Sequence, residues 1–186
     1  MARHELRRTL RRRRAQIDAP TRHIATAQIV SALMSHSGFR RARRVALYSA
    51  SGSEPDLWPL IDIALRRKKR VYLPRVRGQV MDFLRFQSGD RLIPGAFGLQ
   101  QPAAHRQRIS IRQLDLVIAP LVGFDERGQR LGQGGGYYDR ALASLRHGIW
   151  RKPTFIGAAF RVQQVSSLDE APWDVPLDAV VHDFIT

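Results

Sequence analysis

The segment Arg130-Leu-Gly-Gln-Gly-Gly-Gly-Tyr-Tyr-Asp-Arg140 concentrates the residue types of this 186-residue chain that could do chemistry. Gly132, Gly134, Gly135 and Gly136 free the backbone to take positive φ and to approach a ligand closely. A helix starting just after them would aim unpaired N–H groups and the positive end of its dipole at the same spot, which suits a phosphate. No Lys-Ser/Thr follows the last glycine and the G-x-G-x-x-G spacing is missing, so the loop is neither a Walker loop nor a dinucleotide turn. The competing reading is a tight loop that only reverses the chain. Tyr137 and Tyr138 offer flat faces to an aromatic ligand ring, although Tyr138 could equally pack the helix into a core, and Asp139 stands where a carboxylate could hold Mg²⁺ against phosphate oxygens.

These groups need elements to position them. Leu6, Leu10 and Ile17 mark one stripe of a basic amphipathic helix over residues 3–17, with Arg3, Arg7, Arg11 and Arg14 distributed around the rest of its surface. Pro20-Thr21 punctuates it, and Ile24, Ala27, Val30, Leu33 and Met34 predict a second helix ending at Ser37-Gly38. Val45–Ser49 reads as a strand, Ser53-Glu-Pro-Asp56 as a helix start, residues 56–67 as a helix and Arg70–Pro74 as the next strand. The unit is βαβ, which implies a parallel pair. Asp82–Phe86 alternates like a half-buried antiparallel strand, residues 87–113 read mostly as loop, and Asp115–Ala119 is a buried strand. A helix over Tyr137–Leu145, a strand over Thr154–Phe160 and a last strand over Asp178–Ile185 complete a single three-layer α/β domain with a mainly parallel central sheet and antiparallel additions.

The 31 Lys and Arg against 16 Asp and Glu give a formal charge of +15, and twelve arginines face only Glu5 and Asp18 within residues 1–44. Such a balance raises polyanion binding without saying anything about fold. The absence of cysteine excludes disulfides, thiolate metal sites and thiol nucleophiles. No apolar run reaches the length of a membrane-spanning helix and the N-terminus lacks a signal h-region, so the expectation is a cytoplasmic protein with no membrane partner.

Arg130–Arg140, preceded by Pro120, Phe124-Asp125 and Gly128, resembles the C-terminal signature of the 5-formyltetrahydrofolate cyclo-ligase (5,10-methenyltetrahydrofolate synthetase) family. Collinear landmarks extend the resemblance over nearly the whole chain: Arg3-His-Glu-Leu-Arg7, Glu54, Leu73-Pro-Arg-Val76, Gly98-Leu, Pro102, Ile156–Phe160, Gln163 and Trp173-Asp174. The resemblance implies ATP- and Mg²⁺-dependent closure of 5-formyltetrahydrofolate to 5,10-methenyltetrahydrofolate, with or without a polyglutamate tail on the folate, by a monomer. It implies that Arg3, Arg7, Arg130, Gly132, Gly134, Gly135, Gly136, Tyr137 and Tyr138 bind ATP, and that Glu54 and Tyr137 bind the folate. Asp139 and Asp174 would hold Mg²⁺, and Arg130, Tyr138 and Asp139 would carry the catalytic work. Two positions depart from the family pattern: Arg3 stands where Lys is usual, and Gln101 precedes Pro102 where Glu is common. A non-catalytic folate- or nucleotide-binding homologue is the second reading. An Arg-rich nucleic-acid-binding protein is the third, weakened by the lack of aromatic residues between the arginines.

Overall fold

Alternating burial along short apolar strands dictates the architecture. A computed structural model describes residues 2–103, 106–143 and 152–184. Helices α1 (Arg3–Ala15), α2 (Ala19–Ser35) and α3 (Ser37–Arg41) precede strand β1 (Arg44–Ala46). Then come α4 (Trp58–Arg66), β2 (Arg70–Arg77), β3 (Val80–Phe86) and the short strands β4 (Leu92–Pro94), β5 (Gln100–Pro102) and β6 (Arg108–Ile109). The chain continues through β7 (Leu116–Pro120), β8 (Gly123–Phe124), β9 (Arg130–Leu131), α5 (Tyr137–Ala143), β10 (Thr154–Ala158) and β11 (Ala179–Val181).

The main sheet runs β11-β10-β7-β1-β2-β3-β6, parallel from β11 to β2 and antiparallel beyond. Each parallel strand sends alternate side chains to two cores. Val45, Val71, Leu73, Leu116, Ile118 and Ile156 meet Ile29, Leu33, Leu60 and Ile61 of α2 and α4. Ala46, Tyr72, Val117, Ala119 and Phe155 meet Leu142 and Tyr138 of α5 together with Ile109 and Ile111. Both faces of a parallel sheet are thereby covered, as its backbone geometry requires.

The expected α/β class and both βαβ units are present, with local differences. The helix expected from residue 56 begins at Trp58, because Ser53 does not cap it: Asp56 accepts the Trp58 N–H at 3.0 Å and Pro59 takes the first turn. An additional helix, α3, follows α2, started by the His36 ring nitrogen accepting the Gly38 N–H at 3.0 Å. β2 runs on to Arg77 and folds straight back into β3, so the second strand is longer than its apolar run. The last strand stops at Val181, and Asp178, expected within it, instead caps the β10 backbone by accepting the Phe155 N–H at 2.7 Å. The expected end of α5 at Leu145 lies outside the described residues, as does Ile185.

Helix α1 belongs to neither helical layer. Leu10 is fully buried among Val122, Leu131 and Leu168, with Leu6 beside it, which clamps the helix over the β8–β9 ribbon. Burying one such leucine contributes about 2 kcal/mol. Gly123 makes the approach possible, since a Cβ there would stand 2.5 Å from Leu10 Cδ1.

Candidate active site

The carboxyl ends of β1, β2 and β7 open into a cavity of about 610 Å³. Pro74, Val76, Met81, Leu99 and Tyr48 give it apolar walls, Glu54 stands as a buried carboxylate, and the loop 132–136 closes one side. That volume is in the range of sites that enclose most of an organic ligand. On the other side of the same loop lie two further recesses. One, of about 620 Å³, is lined by His4, Arg7, Arg8, Arg11 and Gly134. The other, of about 370 Å³, is lined by Gly134 to Gly136, Asp139, Arg140 and Trp173. The glycine loop is therefore a thin partition between an apolar chamber and a cationic one.

A local device holds this partition. Asp125 closes the turn between β8 and β9, accepting N–H bonds from Arg127 and Gln129 at 3.0 Å each and from Leu168 at 3.0 Å. Although burial opposes it, these bonds and the Arg127 guanidinium hold its carboxyl below the usual carboxylate range. Gly134 and Gly136 have φ of +107° and +62°, and a Cβ on Gly135 would lie 2.5 Å from the Tyr137 ring. Side chains are excluded at these positions by backbone conformation and by contact respectively.

Arg3, Arg7, Arg11 and Arg14 of α1 fall at spacings of four, four and three, and the structure places them on one stripe facing the site instead of around the helix. Arg3 donates to Asp174 Oδ2 at 2.9 Å and Arg7 to the Gly132 carbonyl at 2.9 Å. Arg11 donates to Gln133, at 3.0 Å to its carbonyl and 2.8 Å to Oε1. Arg14, only 5% exposed, donates to Ser53 Oγ at 3.0 Å and to the Leu121 carbonyl at 3.2 Å. Arg11 and Arg14, to which the sequence assigned no ligand role, are thus both part of the site. Burial lowers the Arg14 pKa, countered by Glu54 at 3.9 Å.

Glu54 accepts the Ser51 N–H at 3.0 Å and the Gln133 side-chain N–H at 2.6 Å. Burial nevertheless raises its pKa, against the opposing pull of those bonds and of Arg14. It is not a helix first-turn acid, because α4 starts four residues later. Gln133, easy to pass over between glycines, links Arg11 on the cationic side to Glu54 on the apolar side.

Arg130 is buried beneath the loop, paired with Asp139, donating to the Val175 carbonyl at 3.3 Å and lying 5.1 Å over the Phe155 ring. Burial lowers its pKa, while Asp139 and Asp174 raise it. Tyr138 stacks on Phe155, centroids 6.1 Å apart, and burial pushes its phenol up. Its packing role is real, and it still lines the cavity. Tyr137 donates to the Gly78 carbonyl at 3.1 Å, tying the loop to the β2–β3 turn, with Arg140 over its ring at 4.8 Å. Tyr48, missed in the sequence, is buried at the end of β1 and donates to the Pro55 carbonyl at 3.0 Å. Its position at the carboxyl end of a parallel strand was the available signal.

Asp139 and Asp174 reach the same arginine electrostatically and each is paired with a guanidinium, Asp139 with Arg130 and Asp174 with Arg3. Among the described residues no group of three acidic, His or Cys side chains forms a metal cage. Two hard carboxylates fit Mg²⁺, which commonly takes one or two protein carboxylates and completes its shell with phosphate oxygens and water. Gln101 lies outside the cavities, buried in the β4–β5 hairpin against Gly95, with its Oε1 unpartnered.

Residues 1–183 match the profile of the 5-formyltetrahydrofolate cyclo-ligase family. The chain is 33% identical over 181 residues to the 5-formyltetrahydrofolate cyclo-ligase of Haemophilus influenzae, covering 94% of each. It is 34% identical over 177 residues to that of Escherichia coli K12, covering 92% of this chain and 95% of the relative. Among solved structures, the 5,10-methenyltetrahydrofolate synthetase of Aquifex aeolicus superposes with a TM-score of 0.84 at 33% identity, covering 97% of this chain and 89% of that one. The synthetase of Mycoplasma pneumoniae shares the fold with a TM-score of 0.78 at 24% identity, covering 98% and 99%.

Proposed function

Because the chain belongs to the 5-formyltetrahydrofolate cyclo-ligase family, we propose that its two chambers bring 5-formyltetrahydrofolate and Mg²⁺-ATP together across the glycine loop. It is a ligase of that family. The observation that carries the two-chamber reading is the partition itself, with a mainly apolar cavity, Glu54 and Arg14 on one side, Arg7 and Arg8 on the other, and Arg11 reaching both.

On this reading the pterin enters the apolar cavity and its N–H groups donate to Glu54, displacing Gln133. Tyr137 and Tyr138 bound the ring from the loop side. Gly132, Gly134, Gly135 and Gly136 wrap the ATP phosphates while Arg3, Arg7 and Arg130 neutralise them. Arg3 and Asp174 neutralise each other until ligands come, when Arg3 turns to phosphate and Asp174, with Asp139, faces Mg²⁺. The ion supplies charge neutralisation on the phosphates.

A formyl amide is a poor electrophile. The formyl oxygen takes the terminal phosphoryl group and ADP leaves; the second folate nitrogen then attacks the formyl carbon, and the oxygen departs as phosphate. The protein needs no nucleophile, only positioning and charge. On this reading residues 1–186 act as one domain, and exposed arginines of α1 would attract the carboxylates of a polyglutamate tail.

The test is near-ultraviolet absorbance of protein, 5-formyltetrahydrofolate and Mg²⁺ with and without ATP, alongside phosphate release. The expected result is an ATP-dependent rise in step with phosphate, lost in Asp139→Ala. Nucleotide binding without any rise would favour a non-catalytic homologue.

A further inference from the structure

At the amino ends of the parallel strands, away from the chambers, a concavity of about 760 Å³ opens between the α3–β1 and α4–β2 connections. Two basic runs, 40–44 and 67–70, form it, and the parallel pairing of β1 with β2 sets Arg44 opposite Arg70. β7 begins beside it and ends in the active-site wall, a run of five residues or roughly 17 Å.

Its one acidic lining residue, Asp115, is spent on the backbone N–H groups of Arg43 and Arg44 at 3.0 and 2.8 Å and on the Arg44 guanidinium at 3.6 Å. Lys69 is also committed, donating to the carbonyls of Arg40 and Ala42 at 3.2 and 2.6 Å. Arg40, Arg41, Arg43, Arg67, Lys68 and Arg70 are exposed, and no described carboxylate pairs with them. Capping of α4 does not account for Arg67 and Lys68, because backbone N–H groups of Arg67, Lys68 and Lys69 already satisfy the last carbonyls of that helix. Lys68 even holds a left-handed φ of 56° where glycine is usual, so a charge is kept at a conformational cost.

We propose that this concavity is a second binding site, for a compact linear oligophosphate of three or more phosphate groups, free as inorganic tripolyphosphate or carried by a nucleotide. The cations converge from two turns on one bowl and do not track along a face, which suits a short ligand better than a strand. No aromatic ring lines it, so base stacking is not provided and the phosphates alone are read. One phosphate would leave most of the six cations unanswered; a chain of them answers all.

Calorimetry of the full chain with inorganic tripolyphosphate at about 50 mM salt tests this. Two binding events are expected, one lost in Arg7→Ala and the other weakened on the order of tenfold or more in Arg43→Glu/Arg67→Glu. The milder Arg43→Gln/Arg67→Gln pair should weaken the same event, and both pairs should leave folate turnover unchanged. Uridine triphosphate competing better than tripolyphosphate at this event would identify the nucleotide-borne form, and weaker competition the free one; either supports the site. The proposal is overturned if Arg7→Ala removes all tripolyphosphate binding. It is equally overturned if a mixed-sequence single strand of DNA binds this face in preference to tripolyphosphate.

Discussion

Arginine crowds both ends of the parallel strands, and it behaves differently at each. At the carboxyl end every arginine of the α1 stripe has a defined partner: Asp174 for Arg3, Gly132 for Arg7, Gln133 for Arg11, Ser53 and Leu121 for Arg14. At the amino end six cations stand exposed around a single spent carboxylate. Preorganised guanidinium groups lose little entropy when a phosphate arrives and can be placed to a fraction of an ångström, which catalysis needs. Unengaged ones supply field without geometry, sufficient for binding and useless for phosphoryl transfer.

The contrast is broken most severely at the loop. Gly135→Val would drive a methyl-bearing Cβ into the Tyr137 ring, and turnover should fall on the order of 10³-fold while the melting temperature changes little. Enzyme assay beside calorimetry separates the two. Asp139→Ala strips the partner from buried Arg130 and should cost about 3 kcal/mol of stability as well as activity, measured by urea unfolding.

Glu54→Gln sharpens the comparison because function and stability part company. The raised Glu54 pKa means that the folded chain holds this proton at a pH where the unfolded chain releases it. Its contribution to stability is therefore greatest in acid and declines as pH rises through the folded value. Glu54→Gln should remove that decline while weakening folate binding by about ten- to a hundredfold, read by titration of the folate. Arg14→Gln removes a cation that pulls the Glu54 pKa down, so the acid limb of kcat/KM should move to higher pH. Asp82 gives the opposite sign: despite burial, Arg75 at 2.7 Å and Arg77 hold its pKa down, so its contribution is lost as pH falls. Asp82→Asn should flatten the acid side of the stability profile. The smallest effect is expected from Arg43→Gln/Arg67→Gln on turnover, which should be none.

The sequence already displayed the parallel strands, the βαβ units and the glycine loop, since each is written in local patterns of two, of 3.6 and of glycine spacing. The direction of α1 was not legible. Its leucine stripe predicted a buried face, but that Leu10 docks on Gly123, turning Arg3, Arg7, Arg11 and Arg14 toward the site, depends on contacts more than a hundred residues apart. Glu54 was found through the resemblance, whereas its bond to Gln133 could be seen only once the two segments met. Asp178 read as strand because its neighbours are apolar, and acts as a cap because β10 begins beside it.

The most direct test of phosphoryl transfer across the loop is to place oxygen-18 in the formyl group of 5-formyltetrahydrofolate and analyse the phosphate released with ATP by mass spectrometry. One labelled oxygen in the phosphate is expected for each ring closed. Unlabelled phosphate, with the label recovered in water, would contradict it.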